Sequence, residues 1–235
     1  MRNFIVVTGG TKGLGRAISE TFANHGFDVC ACARTQADLD EMRGHFNEHF
    51  PDIELLTYAA DLSKKNDVSH FAAFVRSKRN KIDVLVNNAG LFLPGAVADE
   101  AAGSLESLIE TNLYSAYYLT RALLSQMTTF RHGHIFNMCS IASIIAYPNG
   151  GSYTIAKFAM LGFSKVLREE MKPLGVKVTA ILPGATWTDS WTGIDLPEDR
   201  LMQASDIAKL VWGAYDLSDS AVVEEILVRP QLGDL

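Results

Sequence analysis

The chain has 235 residues, is 48% hydrophobic and carries a formal net charge of −6 at pH 7. This length and composition allow a sizeable core in one large domain or two small ones. Acidic and basic residues are interspersed, which argues against a nucleic-acid-binding surface and a polybasic membrane anchor.

The first residues, MRNFIVVTGG, run directly into an apolar strand and a glycine turn. They leave no room for a signal peptide. No later apolar run approaches the roughly 20 residues that a membrane-spanning helix needs. We therefore expect a cytoplasmic protein without membrane contact.

Short β-branched apolar runs alternate with helix-length amphipathic segments along the whole chain. The alternation predicts βαβ units and a doubly wound Rossmann fold, in which a seven-stranded, mainly parallel sheet carries helices on both faces. No repeat or linker is visible, so we predict one domain over residues 1–235. The predicted strands are Phe4–Thr8, Asp28–Ala33, Glu54–Ala59, Val84–Asn87, His134–Met138, Lys177–Leu182 and Glu225–Val228.

The first strand is followed by TGGTKGLG, whose glycines lead into a helix that begins near Leu14. Glycines here let the backbone turn tightly and approach a pyrophosphate, whose charge the helix N-terminus stabilises. The turn predicts a dinucleotide site. Two alternatives stay open: a merely tight connection, or the S-adenosylmethionine site of a methyltransferase.

The end of the second strand decides between the nicotinamide cofactors. NAD-specific sites place Asp or Glu there, about 20 residues past the glycines. This chain has Arg34 at that position; Asp28 comes too early, and Asp38 and Asp40 lie on the next helix. Arg34 and Lys12 suit the 2′-phosphate of NADP, which we predict as the cofactor. The alternative is that both are ordinary solvated surface charges.

The stretch YTIAK places Tyr153 and Lys157 on one face of a helix, about 6 Å apart along its axis. Tyr and Lys at this spacing also occur on ordinary amphipathic helices, where Tyr packs and Lys is solvated. The rest of the chain has to decide between the two interpretations.

The cysteines, Cys30, Cys32 and Cys139, show no CxxC spacing, and two fall in a predicted buried strand. We interpret them as small core residues. His132 and His134 lack the helical spacing of a zinc site, and we predict no metal site.

Residues from about 183 to 203 follow a strand, lack clear periodicity and are rich in Gly, Thr, Trp and Asp. Ligands of open α/β sheets bind beyond the C-terminal strand ends, so this segment is a candidate substrate lid. Trp187 and Trp191 would either close over a flat substrate or only pack the loop.

Seven features in register resemble the short-chain dehydrogenase/reductase family over almost the whole chain. They are TGGTKGLG, Asp61 after the third strand, NNAG at Asn87–Gly90, Asn112 in TNL, Ser140, YTIAK, and Pro183–Gly184. Within that family the chain most resembles the bacterial sepiapterin-reductase-like carbonyl reductases, through PGATWTDSW, SDIA and VVEEILVRPQLGDL.

The resemblance implies a catalytic set. Ser140 would polarise the substrate oxygen, and Tyr153 would donate the proton. Lys157 would lower the pKa of the tyrosine and bind the nicotinamide ribose. Asn112 would hold a water that relays protons to Lys157. The plainer alternatives are a strand-end cap for Ser140 and a polar helix-interior residue for Asn112.

The resemblance also implies a cofactor-binding set. Asp61 would hold the adenine amino group, or would only cap the next helix, and NNAG would line the adenosine side, or would only end a strand. Thr186 and Thr188 would meet the nicotinamide. The whole set is Gly9, Thr11, Lys12, Gly13, Leu14, Gly15, Arg34, Asp61, Leu62, Asn88, Ala89, Gly90, Tyr153, Lys157, Pro183, Gly184, Thr186 and Thr188.

The expected activity is NADPH-dependent reduction of a small-molecule ketone or aldehyde to an alcohol, with sepiapterin or a diketone as candidate substrate. One alternative is a 3-oxoacyl-carrier-protein reductase, which would want a basic site entrance; the charged lid residues are instead acidic, namely Asp189, Asp195, Glu198 and Asp199. Another alternative is a non-catalytic NADPH-binding sensor. Asp234 would anchor the guanidine-like edge of a pterin, or is a solvated terminus.

The helix that carries Tyr153 and Lys157 continues as AKFAMLGFSKVL and is apolar on more than one face. A preceding long helix, Leu105–Met127, would cover it within one subunit. The resemblance implies instead a homodimer or homotetramer that packs through these two helices.

Overall fold

The computed structural model describes residues 2–188, 191, 193 and 195–234. Within these residues one sheet contains β1 (Phe4–Thr8), β2 (Asp28–Ala33), β3 (Leu55–Ala59), β4 (Val84–Asn87), β5 (His134–Met138), β6 (Lys177–Pro183) and β7 (Glu225–Val228). All neighbours are parallel, in the order β3-β2-β1-β4-β5-β6-β7. The predicted doubly wound fold is confirmed, with β3 starting and β6 ending one residue later than predicted.

The same residues form the α-helices α1 (Gly13–Asn24), α2 (Gln36–His49), α3 (Lys65–Lys78), α4 (Ser104–Ile109), α5 (Ser115–Leu123), α6 (Ser125–Thr128), α7 (Gly151–Met171) and α8 (Ala204–Tyr215). The predicted long helix over Leu105–Met127 is helical over its length but is not one regular α-helix. A π-helical turn, Glu110–Tyr114, joins α4 to α5, and Leu124 separates α5 from α6. A π turn contains one more residue than an α turn and leaves the apolar pattern helical, which hid it from the sequence analysis.

Helices cover both faces of the sheet because successive strand side chains point to opposite sides. On β1, Val6 packs into the core layer that includes α3, α5 and α7, whereas Ile5 and Val7 pack into the layer that includes α1, α2 and α8. These three side chains are fully buried. Each such burial contributes about 1.5–3 kcal/mol of stability. As predicted, the cysteines are buried, two of them in β2.

The strand order reverses between β1 and β4, since β2 and β3 lie on one side of β1 and the later strands lie beyond β4. The loops that leave two such strands diverge and open a crevice at the carboxyl edge of the sheet. The sheet therefore brings together the segments that follow β1, β4, β5 and β6.

Across the described ranges, no helix combines the length and apolarity that a membrane crossing requires. The same part of the chain contains no group of three or more His, Cys, Asp or Glu side chains placed to hold a metal ion.

Candidate active site

A cleft of about 820 Å³ lies over the switch point at the carboxyl edge of the sheet. Five of the predicted cofactor residues do not line this cleft. They are Thr11, Gly15, Arg34, Asp61 and Leu62. The predicted residues that do line it are Gly9, Lys12, Gly13, Leu14, Asn88, Ala89, Gly90, Asn112, Ser140, Tyr153, Lys157, Pro183, Gly184, Thr186 and Thr188.

The glycine turn after β1 brings the start of α1 to the cleft. Gly9 and Gly13 have positive φ angles of 61° and 51°, a conformation that other residues rarely adopt. A Cβ atom on Gly15 would lie 2.2 Å from the Gly9 carbonyl oxygen, so only glycine fits there. Lys12 occupies the N-cap of α1 and has no side-chain acceptor for the first backbone N–H groups. Those groups suit a phosphate.

The segment after β4 is tied to this turn by a group of hydrogen bonds. Thr8 Oγ1 accepts hydrogen bonds from the backbone N–H groups of Asn88 (2.9 Å) and Ala89 (2.8 Å). Asn88 Nδ2 donates to the carbonyl oxygens of Thr8 (2.8 Å) and Gly9 (3.1 Å). The NNAG motif is thus a strand-ending turn that also lines the cleft, and its contact with the adenosine side of a cofactor stays a prediction.

Ser140 lies two residues after β5 and caps the short 3₁₀ helix Ile141–Ser143. Its hydroxyl oxygen accepts a hydrogen bond from Ala142 N–H at 3.1 Å, and its own N–H donates to Ser143 Oγ at 3.2 Å. The Ser140 hydroxyl oxygen therefore caps the backbone, as the plainer alternative predicted. Because a hydroxyl both accepts and donates, this cap leaves the Ser140 proton available for a group in the cleft.

Tyr153 and Lys157 both lie on α7, near its start, as the YTIAK spacing predicts. The Lys157 ammonium nitrogen lies 5.8 Å from the centroid of the Tyr153 ring, and it donates a hydrogen bond to the Met138 carbonyl oxygen at 2.9 Å. Lys157 is buried, and Tyr153 is partly buried. The ordinary amphipathic interpretation, with a solvated lysine, is wrong here.

The electrostatics of the pair differ from the expected effect of Lys157. Burial raises the pKa of Tyr153 above its ordinary value, and the Ser140 hydroxyl opposes that rise. Burial also lowers the pKa of Lys157, while the neighbouring Cys139 thiol opposes that change. Among the protein's own groups, therefore, desolvation outweighs any pull of Lys157 on the phenol. The phenol stays protonated at neutral pH.

Asn112 lies at the centre of the π turn and is buried. Its Oδ1 accepts a hydrogen bond from Leu91 N–H at 2.8 Å, and its Nδ2 donates to the Leu91 carbonyl oxygen at 2.9 Å. Single π turns occur often at functional sites. Here the turn directs Asn112 toward Leu91, which follows β4 and lines the cleft. A water relay to Lys157 remains a prediction.

Asp61 caps its own turn and not the next helix, because the N-cap of α3 is Lys64, which has no side-chain cap. Its Oδ1 accepts hydrogen bonds from Ser63 Oγ (2.8 Å) and Ser63 N–H (3.2 Å), and Lys64 lies 3.4 Å from Oδ2. Burial opposes the charge, but the Ser63 hydrogen bonds and Lys64 outweigh it and lower the pKa of Asp61. The carboxylate stays charged and one third exposed at the end of β3.

The two predicted cations near the end of β2 have different surroundings. Arg34 is exposed and directly follows β2. Lys12 forms an ion pair with Asp38, with Nζ and Oδ1 3.1 Å apart. Part of the Lys12 charge is therefore already compensated, and Arg34 is the stronger candidate for an added phosphate.

The segment after β6 closes one side of the cleft. The Thr188 methyl group would lie 3.2 Å from a Cβ on Gly13, so this segment contacts the glycine turn. Trp191 lines the cleft, whereas Trp187 does not and pairs through its backbone N–H with Met202. Two acidic lid residues, at positions 195 and 199, are exposed; Asp189 and the Glu198 side chain lie outside the described residues.

The chain end borders the same part of the cleft. Arg229 forms an ion pair with Asp234 Oδ2 at 2.6 Å, and Arg200 donates to the carbonyl oxygens of Gly233 (2.8 Å) and Asp234 (3.1 Å). The other carboxylate oxygen, Oδ1, is buried and has no hydrogen-bond partner within the part of the chain that the structure describes. Asp234 is thus fixed in place at the edge of the cleft, with Oδ1 covered beside Gly184.

Several cleft residues escaped the sequence analysis because no local motif marks them. Most of them lie in loops or at strand ends, and they become neighbours only when the strands pair. The missed lining residues are Leu91, Phe92, Met138, Cys139, Ile141, Ile145, Tyr147, Ala185 and Arg229. The one available signal was a run of apolar residues directly after NNAG, where a solvated loop would be polar.

Comparison with known proteins agrees with this geometry. A family model described as short chain dehydrogenase matches residues 3–199. The chain is 33% identical to a sepiapterin reductase of Chlorobaculum tepidum over 243 aligned positions, which cover 100% of this chain and 99% of that protein. It is 30% identical to a 3-oxoacyl-[acyl-carrier-protein] reductase of Haemophilus influenzae, with 92% and 90% covered.

A solved structure resembles the chain over a similar extent. A metagenomic short-chain oxidoreductase in complex with NADP is 28% identical and superposes with a TM-score of 0.84, covering 97% of each chain.

Proposed function

The chain belongs to the short-chain dehydrogenase/reductase family, and from that membership we propose that it is an oxidoreductase that uses NADPH to reduce a ketone or aldehyde to an alcohol. The observation that carries the proposal is the convergence of Ser140, Tyr153 and Lys157 on the cleft that also contains the glycine turn. A pure binding protein would have no need of a partly buried phenol beside a buried amine.

The residues of the cleft fit NADP. The glycine turn has no room for side chains where it meets α1, and the first N–H groups of α1 suit the pyrophosphate. Arg34, which directly follows β2 outside the cleft lining, would meet the 2′-phosphate, with Lys12 as a partly compensated second cation. Asp61, Asn88–Gly90 and the threonines at 186 and 188 would hold the rest. NADPH supplies the hydride when bound.

Reduction builds negative charge on the carbonyl oxygen of the substrate. Ser140 donates its hydroxyl proton in a hydrogen bond to that oxygen, since a carbonyl oxygen can only accept and the bond from Ala142 N–H leaves the Ser140 proton unused. Tyr153 then gives its proton to the oxygen, which completes the alcohol. The raised pKa of Tyr153 keeps the phenol protonated before this step. Lys157 places a positive charge beside the phenolate that remains.

We favour a pteridine or a vicinal diketone as substrate. The 33% identity to a sepiapterin reductase over the whole chain supports this choice. So does Asp234, a cleft residue whose Oδ1 has no hydrogen-bond partner among the described residues; a small shift of the side chain that uncovers this oxygen would let it accept from the N–H edge of a pterin. The cleft wall adds aromatic side chains, including Phe92, Tyr147 and Trp191, that suit a flat ring.

A 3-oxoacyl-carrier-protein reductase is the second candidate, supported by the 30% identity to such an enzyme. A carrier protein is acidic and would want a basic entrance to the site. The exposed Asp195 and Asp199 oppose this on the described part of the lid. A non-catalytic NADPH sensor is the third candidate.

The experiment is a comparison of NADPH and NADH oxidation against sepiapterin, a vicinal diketone and an acetoacetyl thioester. Turnover with NADPH on the first two substrates supports the proposal. Activity on the thioester alone would favour the 3-oxoacyl-carrier-protein reductase of fatty-acid synthesis. Tight NADPH binding without turnover of any carbonyl compound would favour the non-catalytic sensor.

The catalytic assignment is tested with two tyrosines of the same cleft. Tyr153→Phe removes the proton donor and should lower kcat by about 10²–10⁴-fold, with NADPH affinity nearly intact. Tyr147→Phe removes the other phenol of the cleft and should retain most of the rate. Equal losses in the two variants would contradict the assignment.

The proposal extends to the domain organisation and the oligomeric state of the protein. The chain would act as a single NADP-binding domain, with 183–203 as its substrate lid. Apolar side chains on α7 remain exposed, with Ile155, Phe158 and Val166 at 47%, 46% and 59%. They share one face of α7 and would pack against a second copy in a homodimer or homotetramer.

A further inference from the structure

The segment 91–103, between β4 and α4, lies against the start of α7. Helix α7 begins at Gly151, and its N-cap residue, Gly150, has no side chain to satisfy the first N–H groups. Glu100 does so from a distance in sequence. Its Oε1 accepts a hydrogen bond from Ser152 N–H at 2.8 Å, and its Oε2 accepts one from the Ser152 hydroxyl. A remote carboxylate thus replaces the missing local cap.

The charge of Glu100 is stabilised by the N-terminus of α7. Among the described ion pairs, none includes a basic side chain bound to Glu100. An anion at a helix N-terminus is favoured by the helix dipole and by charge-assisted hydrogen bonds. The carboxylate and the first turn of α7 therefore stabilise each other.

The chain around Glu100 is shaped to admit it. A Cβ atom on Gly151 would lie 2.2 Å from Glu100 Oε1, and a Cβ atom on Gly95 would lie 2.6 Å from Glu100 Cγ. In addition, Gly95 N–H donates to the Asn149 carbonyl oxygen at 2.9 Å, just before α7. Two glycines and a backbone bond thus seat the segment on the helix start.

This contact lies beside the proposed proton donor. Ser152, which binds Glu100, directly precedes Tyr153. The same segment also supplies Phe92, whose ring meets the Tyr153 ring edge-on, with centroids 4.9 Å apart and planes at 85°. Phe92 follows Leu91, which Asn112 holds through two hydrogen bonds. The segment therefore contacts the Tyr153 region at the backbone before it and at its ring.

We propose that Glu100 is a positioning residue that latches segment 91–103 onto the first turn of α7 and so fixes Tyr153 and Phe92 relative to each other. The proposal rests on the proposed function in one respect, the role of Tyr153 as proton donor. The latch itself is a statement about the helix start and is testable without turnover.

The primary variant is Glu100→Ala, which removes both acceptors. Looser placement of the donor should lower kcat on the order of tenfold to a hundredfold, with an unchanged Kd for NADPH by fluorescence titration. Because burial raises the pKa of Tyr153, a less buried phenol should titrate closer to its ordinary value of 10.0. The alkaline limb of the kcat profile should therefore move to lower pH, and amide hydrogen exchange at 151–155 should become faster.

Three further variants separate the latch from a general loss of structure. Glu100→Gln keeps an oxygen for Ser152 N–H and offers an amide hydrogen to the Ser152 hydroxyl, so it should restore much of kcat. Gly151→Ala places a methyl group against the carboxylate and should reproduce the Glu100→Ala profile. Asp99→Ala removes an exposed carboxylate from the same segment and should behave as wild type.

Unchanged exchange at 151–155 together with a wild-type pH profile in Glu100→Ala would overturn the latch, whatever the change in kcat. A wild-type protein that reduces no carbonyl would refute the proposed function instead. In that case the exchange data on Glu100→Ala and Glu100→Gln would still decide the latch.

Discussion

The ammonium group of Lys157 donates a hydrogen bond to the backbone carbonyl oxygen of Met138, with 2.9 Å between nitrogen and oxygen. Met138 is the last residue of β5, and Ser140 follows two positions later. One buried bond therefore holds the helix that carries Tyr153 against the strand that presents Ser140. The lysine therefore has a structural role beside the electrostatic one that we propose.

Replacement of Lys157 by methionine tests this dual role. The change removes the positive charge beside the phenolate and should lower kcat/KM by about 10²–10³-fold. It leaves the Met138 carbonyl unpaired but also removes a buried charge. These effects oppose each other, so the free energy of unfolding should change by no more than about 2 kcal/mol. Lys165→Met, at an exposed position on the same helix, is the control and should leave kcat unchanged; a loss there equal to that of Lys157→Met would refute the assignment.

Cofactor preference should depend on Arg34 more than on Lys12. Arg34→Ala should raise the KM for NADPH on the order of tenfold, because a charge-assisted bond to the 2′-phosphate is lost, and should leave the KM for NADH unchanged. Lys12→Ala should have a smaller effect, since Asp38 already pairs with Lys12. Arg43→Ala, on the exposed face of α2, is the control. Parallel losses with both cofactors in Arg34→Ala would contradict a phosphate contact.

Asp234 should discriminate between substrate classes. In Asp234→Asn, the side chain keeps one oxygen for Arg229 and turns an N–H group toward the cleft. The KM for sepiapterin should rise on the order of tenfold, because two donors then face each other, while the KM for a vicinal diketone should stay within about twofold. Asp219→Asn, at an exposed site, controls for net charge. An equal rise for both substrates would point to a disturbed chain end.

Acid stability should depend on His134. This side chain is buried, its Nε2 lies 2.7 Å from Thr179 Oγ1, and burial lowers its pKa from 6.5 to about 3. Between those values the unfolded chain binds a proton that the folded protein does not. The free energy of unfolding should therefore fall as pH drops below 6.5, by about 1.4 kcal/mol per pH unit from this residue.

Urea unfolding between about pH 7.5 and pH 5 measures that slope. His134→Gln removes the titrating group. The dependence of its unfolding free energy on pH should therefore be smaller by the contribution of one proton, about 1.4 kcal/mol per pH unit. Identical slopes in the two proteins would show that His134 does not control the acid limb.

The apolar face of α7 should support self-association. Phe158→Glu places a charge at the centre of that face and should convert an oligomer into a monomer in light scattering at micromolar concentration. Leu217→Glu changes an equally exposed apolar residue elsewhere and should leave the oligomer intact. A wild-type protein that is monomeric under these conditions would refute the prediction.

Much of the fold followed from local pattern. The strand positions were predictable because the runs are short and mostly apolar, and their alternation with helix-length segments implied a parallel sheet. The residues after β1, β4, β5 and β6 were predictable as neighbours for the same reason. At Ser140, the sequence posed a cap against a functional hydroxyl, and the geometry allows both.

The parts that escaped prediction depend on contacts between distant segments. Glu100 meets Ser152 across 52 residues, and nothing in ADEAAG marks its carboxylate as a helix cap. Phe92 is an exposed loop residue, and its contact with the Tyr153 ring depends on strands and helices far away in the sequence. The pKa of Tyr153 also depends on how deeply the whole cleft buries the phenol, which spacing along one helix does not contain.

The π turn at Glu110–Tyr114 constrains the length of the chain. Its additional residue rotates everything downstream by about 100° relative to a regular helix. The buried Leu119 and Leu123 on α5 face the core only with that rotation included. A one-residue deletion in the turn would swing both leucines out of the core while releasing Asn112 from Leu91. Homologues that lack the turn must therefore carry a shifted apolar pattern on α5, so single-residue gaps in this stretch should be rarer in natural sequences than gaps in the neighbouring loops.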